Sequence, residues 1–457
     1  MSDAVSRAQS YALENEARFV EDLRKFLQIP SIATQGTGMQ ECATWLVQHL
    51  NDIGIKAWLE PTAGYPVVCG EVPGATDRWV VVYGHYDVQP PEPLEEWIHP
   101  PFAAVLEGDR IYARGAVDDK GNLFCAVKAV ESYLAAGERP PVGVKFFIEG
   151  EEEIGSPNLA SFADAHRDWL KADGLILQDG LVAHDGRTEL NLGMKGLLYL
   201  ELRARTHDRD LHSGKAPIVE NAGWRLVHAL ASLQGPDGRV RVPGFYDGVL
   251  PPSEDDLELL RTYGPSEEVV KAEAGIDRFP ERLKGRDPLV ALYFEPVMTI
   301  CGVVSGYAGP GQKTVVPSTA TAKIDIRLVP GQDPGRLIQA IRAHLDREGF
   351  TDVELVPLGA GQPASRTNPR TPVARAMHAA IRTEFGKDPI VKPSVESSGP
   401  GCVFSDVLGL PWALTRFGPA GSTLHAPNEF FAISHYRRGI STIVRFLDEF
   451  ARALEGQ

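Results

Sequence analysis

Five short runs of this chain hold residue types that bind metal ions or move protons. The first is Gly84-His85-Tyr86-Asp87, directly after the apolar stretch Trp79 to Tyr83. A His at the end of a buried strand sits where open α/β sheets bind ligands. Asp87, two residues on, is placed to hydrogen-bond the second imidazole nitrogen and fix its tautomer, as partners of metal-bound His do. The plainer reading is a structural His and Asp in a strand-end turn. The second run is Arg114-Gly115-Ala116-Val117-Asp118-Asp119-Lys120-Gly121, just ahead of a helical pattern. Its acids could simply complement a helix dipole. A carboxylate shared between two cations would also tolerate an Asp pair flanked by Gly.

The third run, Glu149-Gly150-Glu151-Glu152-Glu153, again follows an apolar strand and puts four glutamates within five positions. Such crowding is repulsive and is relieved by cations or by solvent. The fourth is Gln178-Asp179-Gly180 after Leu175-Ile176-Leu177, and the fifth places His425 in Gly421-Ser422-Thr423-Leu424-His425-Ala426-Pro427-Asn428-Glu429. Taken singly, each has an ordinary structural explanation. Three of them, however, end buried strands and the other two lie in turns, so one sheet edge gathers His85, the Asp118-Asp119 pair, the Glu149–Glu153 acids, Asp179 and His425. Two His and several carboxylates, with no Cys, suit Zn²⁺, Mn²⁺ or Co²⁺ in a catalytic site better than a Cys-rich structural zinc site.

The elements that must position these residues follow from apolar patterning. Helical spacing covers 11–29 and 39–53, the latter stopping near Gly54. From Pro66 short continuous apolar runs (67–69, 79–83, 142–148, 175–177) read as strands buried on both faces, with helical patterns at 123–134 and 159–170 between them. The first ~190 residues are therefore an α/β layer with a mostly parallel sheet flanked by helices. After Gly196 the texture changes to half-exposed strands at 197–205, 297–304 and 320–328, with helices at 219–233 and 333–347. The Pro- and Gly-rich stretch 242–288 reads as an elaborated loop region. From Pro372 a helix to Phe385, a strand at 412–415 and a final helix at 434–453 resume the α/β pattern. The expected organisation is a discontinuous metal-binding domain, 1–195 and 365–457, with a smaller α+β domain, 196–364, inserted as a lid.

Composition narrows the function class. The chain has 457 residues, 43% hydrophobic and 23% charged, which suits two or three folded units. A net charge of −15 without a Lys/Arg cluster argues against nucleic acid and anionic membranes, and leaves a small molecule as the expected partner. No signal-peptide pattern and no membrane-span pattern is found, and the five scattered cysteines (Cys42, Cys69, Cys125, Cys301, Cys402) read as buried free thiols of a reducing compartment. A cytoplasmic protein is expected.

Nearly end to end, the chain resembles the metallopeptidase family of cytosolic and carnosine-type dipeptidases, aminoacylases and succinyl-diaminopimelate desuccinylases. The dipeptidase branch is matched most closely, through Gly84-His85-Tyr86-Asp87-Val88-Gln89-Pro90, Trp97-Ile98-His99-Pro100-Pro101-Phe102, Arg114-Gly115 with Asp118-Asp119-Lys120-Gly121, Asp210-Leu211-His212-Ser213-Gly214 and Ile326-Arg327-Leu328-Val329-Pro330. The resemblance implies two divalent metal ions, Zn²⁺ first and Mn²⁺ or Co²⁺ as alternatives. His85 and Asp179 would hold one, Glu153 and His425 the other, and Asp118 would bridge them. Glu152 would be the general base, with Asp87 supporting His85. It also implies a homodimer in which His212 of the smaller domain reaches the other subunit's site to stabilise the oxyanion, while Arg327 grips the substrate carboxylate and Thr314 makes a second substrate contact. The fork geometry of Arg suits that grip.

One departure is visible. Where many dipeptidases carry Glu-Gly-Gly-Ser, this chain has Glu396-Ser397-Ser398-Gly399. Backbone contacts of Ser397, Ser398 and Gly399 to substrate are expected to survive, and the added side chains to reshape the pocket. The expected activity is hydrolysis of the amide bond of a dipeptide or similar small substrate with a free carboxylate. The alternative is an N-acyl-amino-acid hydrolase or carboxypeptidase on the same scaffold. A catalytically silent binding protein is disfavoured by the complete ligand set and the presence of Glu152.

Overall fold

The computed structural model describes residues 3–456 and contains two main sheets. The larger has eight strands: β1 (Lys56–Glu60), β2 (Val67–Val72), β3 (Trp79–His85), β4 (Gly143–Glu149), β5 (Gly174–Gln178), β6 (Glu189–Asn191), β7 (Ile390–Lys392) and β8 (Trp412–Thr415). Their order across the sheet is β1-β2-β4-β3-β5-β8-β6-β7. The pairs β4/β3, β3/β5, β5/β8 and β6/β7 are parallel, and the others antiparallel. The central strands β3, β4 and β5 are almost wholly buried, as continuous Val/Ile/Leu/Phe runs covered on both faces require.

Helices Lys120–Ala135, Pro372–Phe385 and Ile433–Glu455 build one main core cluster with this sheet, through residues such as Phe124, Met377, Phe446 and Phe450. A second cluster on the other face centres on Tyr83, Phe147, Phe404 and Trp412. The smaller sheet is antiparallel throughout, ordered 297–305, 319–328, 196–205, 354–357. Helices Ala222–Leu233 and Pro334–Arg347 cover one of its faces, with Leu198, Leu200, Leu226, Ile324 and Ile341 in the core between them. Asp333 caps the second helix by accepting a hydrogen bond from the Arg336 N–H at 2.7 Å, the reason that helix starts where the sequence reading put it. The α/β class with a separate antiparallel lid sheet is as expected.

Several elements differ in detail. The helical pattern 11–29 is two helices, Asp3–Glu14 and Glu16–Leu27, interrupted at Asn15. The stretch 242–288 holds helices Glu254–Tyr263 and Glu267–Ala274, each started by a serine cap, Ser253 and Ser266. The Pro and Gly content there punctuates helices rather than excluding them. Strands β1, β6 and β7 were not anticipated, being short or only partly buried. All five cysteines are free thiols; Cys42, Cys69 and Cys125 are buried, Cys402 is half-buried, and Cys301 departs from expectation by standing exposed. No helix among the described residues is long and apolar enough to cross a membrane.

Candidate active site

Three adjacent parallel strands deliver the first group of side chains. His85 is the last residue of β3, Glu149 the last of β4, and Asp179 follows β5 directly, so parallel pairing brings all three carboxyl ends to one edge. Asp118 comes from the turn before helix Lys120–Ala135, and His425 from the loop between β8 and the short strand Phe430–Ala432. Gly84 makes the close approach possible, since a Cβ there would stand 2.8 Å from Asp119 Oδ2 and from Leu123. His425 takes a left-handed backbone, φ 54°, an unusual conformation held by the loop around it.

The five expected metal ligands converge. His85, Asp118 and Asp179 each present a ligand atom within 4.8 Å of the others, and so do Asp118, Glu153 and His425; Asp118 belongs to both groups. One Asp118 oxygen lies 3.3 Å from His85 Nε2 and the other 2.9 Å from His425 Nε2, which is 3.5 Å from Glu153. His85 Nε2 and Glu153 Oε1 are buried without a hydrogen-bond partner among the described residues. Buried polar atoms normally find partners, so unmatched nitrogen and oxygen atoms facing a shared carboxylate fit a pair of divalent cations. A third acid–His group, Asp22, His49 and Glu131, does not fit one: Lys128 Nζ occupies its centre, 2.7–3.0 Å from all three.

Asp87 does more than orient the imidazole. Its carboxylate stands 3.3 Å from His85 Nδ1, which also contacts the Asp87 carbonyl at 3.1 Å, and it accepts the backbone N–H groups of Glu152 (3.3 Å) and Glu153 (3.0 Å). One side chain thus ties the His85 turn to the Glu152–Glu153 turn. Glu152 lines the same cleft, of about 550 Å³, with His85, Asp118, Glu153, Asp179, Ser398 and His425 among its walls.

Charge is crowded here. Burial, with Asp118 adding, pushes Glu153 up to about 8 and Asp179 up to about 7. Burial also raises Glu152, with Asp118 and Asp87 adding and His85 opposing. Asp118 moves the other way: burial would raise it, but His425 and His85 together hold it below the usual carboxylate range. His425, hydrogen-bonded to Asp118, rises to about 9. Burial would lower His85, but Asp118, Asp87 and Glu152 outweigh it and the imidazole is raised. Carboxylates keep protons near neutrality where crowded negative charge has no cation to offset it, and nearby cations would favour their ionised forms.

The expected substrate residues fall into two sets. Ser397, Ser398 and Gly399 line the metal cleft, and Arg327 reaches it from the smaller sheet by donating to Ser398 Oγ at 3.1 Å while its other nitrogens hold Asp325. His212 and Thr314 are not among the residues lining the cleft of their own chain. They are exposed together on a small ladder in which Leu211–His212 pairs with Val315–Val316 and the Ser213 N–H donates to the Thr314 carbonyl at 3.1 Å.

Sequence reasoning missed the residues that hold the ligands in place. Glu429, fully buried, accepts from Arg114 (2.7 Å) and from the backbone N–H groups of Gly115, Val117 and Asp118. Gln89 donates to Glu153 at 2.7 Å. Asp119 accepts the His85 N–H at 3.2 Å. Arg416 lines the cleft beside Asp179 and lies 3.4 Å from Glu189. Glu429 and Gln89 stood within the motif runs, and burial is the signal that separates them from solvated neighbours.

Known proteins agree with this architecture. Residues 81–449 match the profile of peptidase family M20/M25/M40, and the chain belongs to that family; it is a metallopeptidase. The Beta-Ala-His dipeptidase of Rattus norvegicus is 28% identical over 386 residues, 83% of this chain and 78% of that protein. The Cys-Gly metallodipeptidase of Schizosaccharomyces pombe is 28% identical over 352 residues, 72% of this chain and 73% of its own length. Among solved structures, an M20 family metallo-carboxypeptidase from Sulfolobus solfataricus superposes with a TM-score of 0.83 at 36% identity, covering 95% of this chain and 99% of that one. Human carnosine dipeptidase 1 has the same fold, with a TM-score of 0.76, 24% identity and 99% coverage of each chain.

Proposed function

We propose that the protein is a two-metal hydrolase that cleaves the amide bond of dipeptides, or of similarly small substrates with a free carboxylate. The observation that carries this reading is the pair of three-ligand groups sharing Asp118, with the carboxylate of Glu152 in the same cleft. His85 and Asp179 would hold one divalent ion and Glu153 and His425 the other, with Asp118 available to both; Zn²⁺ leads, with Mn²⁺ and Co²⁺ as alternatives. When bound, the ions polarise the scissile carbonyl and make a water acidic enough to attack near neutral pH. Glu152, in the same cleft, would accept the attacking water's proton on its carboxylate and pass it to the leaving amine nitrogen. Asp87 keeps the His85 imidazole turned to the site.

Arg327 receives the substrate carboxylate, exchanging its contacts to Asp325 and Ser398 for the fork-shaped grip, and Ser397, Ser398 and Gly399 form the adjoining wall. In a homodimer, His212 and Thr314 complete the site of the opposite subunit. The His212 ring accepts the Gly214 N–H on Nδ1 at 3.1 Å, so the neutral ring carries its proton on Nε2 and donates it to the oxyanion. This assignment takes 1–195 and 365–457 as the catalytic domain, 196–364 as lid and dimer domain, and a cytoplasmic location. The 36% identity to a carboxypeptidase over almost the whole chain favours, as the second reading, a carboxypeptidase or N-acyl-amino-acid hydrolase on the same site.

The test is a panel of dipeptides, longer peptides and N-acetyl and N-succinyl amino acids assayed with Zn²⁺ and with Mn²⁺. Preferential cleavage of dipeptides supports the first reading, and preference for longer peptides or N-acyl amino acids establishes the second. Glu152→Ala is expected to lower turnover by about 10²–10⁴-fold at unchanged metal content. Retained turnover in that variant removes Glu152 as the base.

A further inference from the structure

A second cavity, larger than the metal cleft at about 860 Å³, opens where the helical insertion 242–294 meets the smaller sheet. Its walls are largely apolar, with Tyr246, Phe279, Leu292 and Phe294 facing it. Its cations outnumber its acids. Lys195 lies in the wall, only 5% exposed, and its Nζ donates to the Glu295 backbone carbonyl at 2.7 Å with no carboxylate in ion-pair distance among the described residues. Arg239 and Arg282 line the exposed part of the wall and likewise show no ion pair, the Arg239 guanidinium lying 4.6 Å over the Tyr246 ring. Arg286 alone is matched, by Glu295. The remaining acid, Asp237, accepts the Arg239 backbone N–H at 3.1 Å.

Burial lowers the Lys195 ammonium to about 8, with the charges of Glu396 and Glu295 opposing and Arg327 adding, so it remains largely charged at neutral pH. In a chain of net charge −15, a concave, largely apolar surface whose cations outnumber its acids has the composition of a small-molecule site for an anion. The metal cleft has the opposite character, being ringed by carboxylates. Lys195 also joins the two: its backbone N–H donates to the carbonyls of Ser397 (3.1 Å) and Val395 (3.4 Å), the strand leading into the Ser397–Gly399 wall.

We propose that this cavity binds a small monocarboxylate with an aromatic or branched apolar body, its carboxylate taken by Lys195 and the rim arginines and its body by the aromatic wall. The site is separate from the catalytic cleft and does not depend on the substrate assigned above. It is tested by calorimetric titration of the full-length protein, stripped of metal by chelation, with 4-phenylbutyrate and with 4-phenylbutan-1-ol. The carboxylate is expected to bind once per chain and the alcohol about tenfold more weakly or worse, the ratio set by a charge-assisted hydrogen bond. Ala291→Trp, which fills the cavity, should abolish binding, and Arg282→Gln, on an exposed position with no effect on folding expected, should weaken it severalfold. Absence of binding overturns the proposal, as does equal affinity for the alcohol or affinity unchanged in both variants. Binding that survives Ala291→Trp but is lost in Arg327→Lys places the carboxylate in the catalytic cleft and also overturns it.

Discussion

Replacing Glu429 by Gln keeps the side chain's shape and removes its charge. The two Glu429 oxygens accept four hydrogen bonds: from Arg114 Nη1 at 2.7 Å, Gly115 N at 3.0 Å, Val117 N at 2.7 Å and Asp118 N at 3.2 Å. A Gln amide can offer an acceptor to only one of those two sets, and its NH₂ would face donors on the other. Arg114, 1% exposed, would retain the Pro90 carbonyl at 3.3 Å and the Trp97 ring, neither of which carries charge. Removing one partner of a buried pair costs about 3–5 kcal/mol, a large part of the ~5–15 kcal/mol that holds a typical domain. The same change loosens the Asp118 backbone, and losing such support lowers metal affinity by about 10–100-fold. Urea unfolding and metal retention against a graded chelator, at pH 8 because burial raises the Glu429 carboxyl above its usual range, measure both effects. Arg114→Met should cost a similar amount, and the double variant less than the sum of the two by about 0.5–3 kcal/mol. A Glu429→Gln protein that unfolds at the wild-type urea concentration and keeps its metal as tightly refutes the reasoning.

Metal binding should release protons, because Asp179 at about 7 and Glu153 at about 8 must ionise to ligate. Both carboxyls are raised in the folded chain, so the unfolded chain binds fewer protons between about pH 4.5 and 8 and metal-free stability falls as pH rises through that window. The raised His425 acts in the same direction, its stabilisation being lost as pH climbs through about 9. The Tm gain on adding Zn²⁺ should therefore grow from pH 6 to pH 8, and a gain independent of pH contradicts the assignment. Asp87→Asn, which weakens acceptance of the Glu152 and Glu153 N–H groups and the hold on His85, should lower metal affinity by about 10–100-fold, read by competition with a chromogenic chelator; unchanged affinity means Asp87 is dispensable. Arg327→Lys should raise KM by about tenfold or more for substrates with a free carboxylate, at little cost in kcat, and leave carboxamide-capped substrates unaffected. Equal effects on both substrate types would show that Arg327 does not read the carboxylate.

Part of the candidate ligand set was legible because it sits in a pattern that sequence displays: an apolar strand that stops at a polar residue, with Asp118 and His425 in turns picked out through the family resemblance. His85, Glu149 and Asp179 mark three such stops, and parallel pairing does the rest. The supports were not legible because their partners are remote. Glu429 meets Val117 across 312 positions and Arg114 across 315, and no local spacing encodes that. His212 and Arg327 were singled out through family resemblance, since an exposed His and a strand Arg carry no local mark of the roles proposed for them. Lys195 illustrates the other limit: the sequence did not single it out, and only the tertiary fold buries it against the insertion.

The place of β8 in the sheet bears on how the chain is made. Residues 412–415 insert between β5 and β6, yet they leave the ribosome more than two hundred residues after both. Until then, β5 presents an open apolar edge and the acid-rich half-site lacks His425, which arrives with the same segment. An emerging chain thus holds an unpaired sheet edge through most of its synthesis, the kind of surface that pairs wrongly with other chains. Closure of the sheet and completion of the candidate metal site are then one late event, so metal capture through His425 would report that the chain up to that residue has been delivered and threaded in order.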